Sequence, residues 1–95
     1  DPQLSCNLLG AWGEFYLLKQ DLEAAEHMFA EMLARVPAGN RTSIAQAQYG
    51  LAKVARRRGQ FEEAQTLAEQ SYGIFEQLGH RQKSLVQAFL ADRSP

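Results

Sequence analysis

The chain has one cysteine, three prolines and no apolar run near the ~20 residues that span a bilayer. Cys6 alone cannot close an internal disulfide, which suits a reducing compartment, so a cytoplasmic setting is expected. Nothing at the N-terminus reads as a secretory signal. Gly-rich phosphate loops, paired catalytic carboxylates and a nucleophile beside a base are all missing, so no enzyme active site and no cofactor are expected. A net charge of −1 over 95 residues supplies no bulk attraction to nucleic acid or membrane. No stretch alternates apolar and polar residues, so no strand is expected. The opening Asp1-Pro2, without an initiator Met, reads as the start of a fragment of a larger protein.

What the chain does have is helical periodicity throughout. Leu8, Leu9, Trp12, Phe15 and Tyr16 mark a first helix over about 3–19. Leu22, Ala25, Phe29, Met32, Leu33 and Val36 mark a second over 22–36, with Asp21 placed to cap it and Pro37 to end it. Ser43-Ile44-Ala45-Gln46 reads as a capping box opening a third helix, with Ile44, Ala47, Leu51, Ala52 and Ala55 on its core face. Arg56-Arg57-Arg58 and Gly59 close it. Phe61, Ala64, Ala68, Tyr72, Phe75 and Leu78 mark a fourth helix, and Leu85, Val86, Phe89 and Leu90 a short fifth over 82–92.

The pattern repeats. Lys19-Gln20-Asp21-Leu22-Glu23-Ala24-Ala25 aligns with Arg58-Gly59-Gln60-Phe61-Glu62-Glu63-Ala64 at an offset of 39 residues. A helical hairpin cannot bury its apolar face alone, and stacked copies bury it between them. The first unit reads Leu9-x2-Trp12-Gly13-x2-Tyr16, then Ala25-x3-Phe29, then Pro37. The second is looser: Gln48-x2-Leu51-Ala52-x2-Ala55, then Ala64-x3-Ala68. This resembles the tetratricopeptide (TPR) repeat family. The period and the ending Leu78-Gly79-His80-Arg81 resemble the longer variant of bacterial signalling and STAND-type regulatory proteins. The resemblance implies an all-α fold, an α-α superhelix. Repeat one spans 6–39, repeat two 45–79 and a capping helix 82–92, within one domain over 1–95. It also implies a protein–protein interaction module in the C-terminal part of a regulatory protein. Small Gly13 and Ala25 let the paired helices approach, and large Trp12, Tyr16 and Phe29 fill the space around them.

In TPR proteins the first helix of each pair lines a concave groove. The residues this places there are Asn7, Glu14, Gln46, Tyr49, Lys53, Arg56 and Arg57, expected to hold a peptide or partner helix. The basic strip Lys53, Arg56, Arg57 suits an acidic partner, although helix-end compensation by the arginines explains it as well. The positions matching the chaperone-tail carboxylate clamp read Asn7, Ala11, Gln46 and Gly50, which excludes a receptor of that type. No exposed aromatics interleave with the basic run, which argues against nucleic acid. A second function fits too. The first helix is apolar almost all round, so one side needs cover from a neighbouring repeat or from a second copy. The contacts of a homodimer would be Leu4, Leu8, Phe15, Leu17 and Leu18.

The remaining chemistry is bland. His27 and Glu31 stand one helical turn apart but lack a third ligand, so no metal is expected. His80 reads as a turn residue, Cys6 as a half-buried structural thiol, and Asn40-Arg41-Thr42 as a chance glycosylation sequon. The charge is uneven. Residues 1–40 carry six acids and two bases (−4), and residues 41–95 carry five acids and eight bases (+3).

Overall fold

A computed structural model describes residues 2–37 and 39–92, with side chains from Ser5 onward. It contains α1 (Pro2–Leu18), α2 (Leu22–Arg35), α3 (Arg41–Arg57), α4 (Phe61–Leu78) and α5 (Lys83–Ala91). No strand occurs among the described residues. Each helix packs on the next, and α1 also meets α3. The result is two hairpins stacked side by side, with α5 laid on α4.

Local chemistry sets the boundaries. Asp21 caps α2 by accepting from the Ala24 amide at 3.2 Å. Asn40 caps α3 by accepting from the Ser43 amide at 3.1 Å. The capping box expected at Ser43 is therefore corrected: α3 begins at Arg41, and Ser43 is buried inside its first turn. Helices α1, α3 and α4 end in the same closure. The amides of Asp21, Gln60 and His80 reach back to the carbonyls of Tyr16, Ala55 and Phe75, each at 2.9 Å. That closure needs a left-handed residue, supplied by Gly59 (φ 80°), Gly79 (φ 64°) and, in the first hairpin, Gln20 (φ 62°).

One cluster of the core, between the two hairpins, is built on Phe29. A Cβ on Gly13 would lie 2.6 Å from its ring, and one on Gly50 2.4 Å. Two glycines from α1 and α3 thus clasp one ring from α2, the close approach expected at Gly13. Val54, Leu17 and Ala25 complete that cluster. In the second hairpin the balance of sizes reverses. Ala45, Ala52, Ala64 and Ala68 bring α3 and α4 together, and α5 supplies Val86 and Phe89. At the 39-residue offset Phe29 becomes Ala68 and Gly50 becomes Phe89. The bulky residue moves from one side of the interface to the other.

Several core expectations need correction. Trp12 is 49% exposed, and its ring meets Phe15 and Tyr16 of its own helix instead of filling the space between helices. Phe61 and Leu78 are exposed, at opposite ends of α4. Ile44 and Leu51 are half-buried, while Ala45, Gly50 and Val54 take the buried positions of α3.

Candidate partner-binding groove

Helices α1 and α3, the first of each hairpin, border a groove of about 430 Å³ with the start of α5. Its floor is Phe29 and Met32, both buried. Gly10 belongs to this floor for a steric reason: a Cβ there would meet Met32 Sδ at 3.3 Å. Five of the seven residues chosen from the sequence line the groove: Asn7, Glu14, Gln46, Tyr49 and Lys53. Gln82, Leu85, Gly10 and Ala11 join them. Sequence reasoning treated 82–92 only as a cap. The missed signal is the offset itself: 46 plus 39 gives 85, so α5 starts a third helix of the α1, α3 series.

The groove carries carboxamides and one internal ion pair. Gln46 Nε2 donates to Gln82 Oε1 at 3.3 Å. Lys53 Nζ lies 2.6 Å from Glu14 Oε1 and 4.6 Å from the centre of the Tyr49 ring. Tyr49 in turn meets Phe89 edge-on at 5.7 Å. Burial raises the Tyr49 hydroxyl above its usual pKa, the Glu14 carboxylate adds to this, and Arg56 opposes it. The single base and single acid of this wall cancel, so the groove presents amides, a phenol and apolar surface. An acidic partner therefore finds no unpaired cation in this wall.

Arg56 and Arg57 do not line the groove, and their placement there is corrected. Arg56 Nη1 donates to the carbonyls of Phe89 (3.0 Å) and Asp92 (3.3 Å), with its guanidinium 3.6 Å from the Phe89 ring centre. Arg57 Nη1 donates to the Leu17 carbonyl at 2.7 Å. Arg58 Nη1 meets Glu26 Oε1 at 2.9 Å. Each arginine of the run therefore ties α3 to a different helix. Two of them neutralise the carbonyl ends of α5 and α1.

The self-association residues separate in the same way. Leu8, Phe15 and Leu18 are exposed (55%, 42% and 83%). Leu17 is 3% exposed and packs in the Phe29 cluster, so it is corrected to a core residue. The side chain of Leu4 lies outside the described residues.

Elsewhere the polar candidates are absorbed by structure. Glu31 accepts from Arg35 at 2.7 Å and sits 3.9 Å from His27, and no cluster of metal-ligating residues occurs among the described residues. His80 Nδ1 accepts from the Gln82 amide at 3.1 Å, and its ring stacks on Phe75. Cys6 is fully buried, not half-buried, with Sγ 3.9 Å from the Met32 carbonyl. No helix among the described residues is long and apolar enough to cross a membrane.

Comparison with known families agrees with this geometry. Residues 4–77 match the family model described as tetratricopeptide repeat. No curated protein and no solved structure matches the chain significantly.

Proposed function

Because the chain belongs to the tetratricopeptide repeat family, whose repeats generally mediate protein–protein interaction, we propose that its groove holds a segment of a partner protein. The observation that carries this reading is convergence. Residues from α1, α3 and the position just before α5, namely Asn7, Gln46, Tyr49 and Gln82, border one concave surface over a floor of Phe29 and Met32. Carboxamides both donate and accept, which matches the alternating N–H and C=O of a peptide backbone. The Lys53–Glu14 pair closes one charge against the other, so the partner segment is uncharged where it crosses this wall. Apolar side chains of that segment rest on the floor. The setting we assign, a bacterial signalling or regulatory protein of the STAND type, is supported by the resemblance at Leu78-Gly79-His80-Arg81. No catalytic role is proposed.

The test is a titration of the isotope-labelled chain with neutral, acidic and basic hexapeptide pools, followed by amide resonances. The expected result is that the neutral pool shifts the side-chain amides of Asn7, Gln46 and Gln82. Asn7→Ala with Gln46→Ala then removes the response without moving the melting temperature. Shifts confined to α2 and α4, or a response unchanged in the double variant, would overturn the reading.

A further inference from the structure

Glu14 and Tyr49 flank one ammonium in the groove wall. Lys53 Nζ lies 2.6 Å from Glu14 Oε1 and 4.6 Å from the centre of the Tyr49 ring. The two sides of this ion pair are not equally open. The Lys53 side chain is 22% exposed and the Glu14 side chain 54%. The ammonium sits between the carboxylate and the ring, so an occupant of the groove meets the carboxylate first. Glu14 Oε1 accepts from Lys53, and no hydrogen bond to Oε2 occurs among the described residues. The Tyr49 hydroxyl has no hydrogen-bond partner among them either, although its ring is held by Lys53 and by a T-shaped contact with Phe89.

These two groups are a donor and an acceptor side by side. They do not bond to each other, yet Glu14 is near enough to add to the effect of burial in raising the Tyr49 hydroxyl above its usual pKa. The hydroxyl therefore keeps its proton at neutral pH and donates, while Glu14 Oε2 accepts. Such a pair discriminates. A carboxylate brings no donor for Glu14 and is repelled by it. An ammonium brings no acceptor for Tyr49. An amide brings both. In an extended chain the N–H and C=O of one residue project to the same side, so a single residue meets both groups at once.

We propose that Tyr49 and Glu14 form a two-point clamp for the main chain of an extended partner segment. Tyr49 donates to the carbonyl of one residue, and Glu14 accepts from the N–H of the same residue. This rests on the groove reading above and adds which residues fix the segment and by what. Lys53 is the positioning residue, since it holds both the carboxylate and the ring. The clamp reads backbone rather than side chain, so it tolerates many sequences and rejects an acidic group at this point.

End-blocked hexapeptides built only from Gly, Ala and Leu test it, because they offer the groove no polar side chain. They are titrated into the labelled chain and followed by the side-chain amides of Asn7, Gln46 and Gln82. The expected result is binding that falls by about tenfold or more when the central amides become esters, which keep the carbonyls and remove the N–H donors. Glu14→Ala erases the difference between amide and ester. Tyr49→Phe weakens the amide peptide by about two- to tenfold. Glu14 is exposed and Tyr49→Phe keeps the ring, so both variants keep the helical circular dichroism of the parent. Equal affinity for amide and ester, or Tyr49→Phe binding as tightly as the parent, overturns the clamp and leaves the groove reading standing. So does a response to the neutral pool that these apolar peptides fail to give. Peptides of every charge class that leave Asn7, Gln46 and Gln82 unmoved overturn both.

Discussion

The ring of Phe29 touches the backbone of Gly50, close enough that a methyl group there would lie 2.4 Å from Cδ1. This contact joins the two hairpins, since Phe29 comes from α2 and Gly50 from α3. Gly50→Ala should therefore destabilise the chain by about 1–3 kcal/mol through overpacking, despite the better helix propensity of alanine. Phe29→Leu in the Gly50→Ala background should recover part of that loss, because the ring is what the methyl strikes. Chemical denaturation of the two single variants and the double variant gives the coupling energy. Additive losses would mean the ring and the glycine do not constrain each other.

The arginine run makes a different kind of link. Arg57 holds the Leu17 carbonyl at the end of α1, while Arg58 holds Glu26 near the surface. A charge-assisted bond to a carbonyl that is one of α1's last acceptors is worth about 1.5–3 kcal/mol. A surface ion pair is worth about 0–1 kcal/mol. Arg57→Met should thus lower stability clearly more than Arg58→Met, and added salt should narrow only the Arg58 difference. Equal losses from the two variants would show that Arg57 contributes no more than a surface charge.

How far the sequence carried follows from which physical signals are local. The five helices were legible because periodicity, caps and turn glycines act within a few residues, and Asp21, Gly59 and Gly79 do what their positions suggest. The start of α3 was misplaced because Asn40 and Ser43 are both good caps, and only the chain geometry decides between them. The direction of long side chains was not legible. Lys53, Arg56, Arg57 and Arg58 lie within six residues, yet one enters the groove and the others reach α5, α1 and α2. Helix periodicity gives each a rough angle, and the carbonyl ends that attract them come from elements 30 or more residues away. Leu17 and Leu18 show the same limit. Adjacent and equally apolar, one is core and one is surface, because Leu17 faces Ala25 and Phe29 of α2 and Val54 of α3, while Leu18 points away from both helices. The size exchange between Phe29–Gly50 and Ala68–Phe89 was open to a reader who carried the 39-residue offset through every position.

The offset also exposes the one turn that departs from its twin. Gln20 and Gly59 occupy equivalent positions, both left-handed, and only Gly59 adopts that conformation without a steric penalty. A side chain at positive φ costs roughly 1–2 kcal/mol relative to the right-handed region. Glycine avoids it but brings more unfolded-state freedom, which returns part of the gain. Gln20 is exposed, and no contact of its side chain would be lost that matters to the core. Gln20→Gly should therefore raise stability by about 0.5–1 kcal/mol. In a domain of this length that corresponds to a melting temperature higher by roughly 2–8 °C. Gly59→Gln should shift it by a similar amount in the other direction. Thermal melts of the two variants beside the parent chain check both signs at once. If Gln20→Gly lowers the melting temperature, the left-handed turn is held by Gln20 itself rather than by the closure from Asp21 to Tyr16.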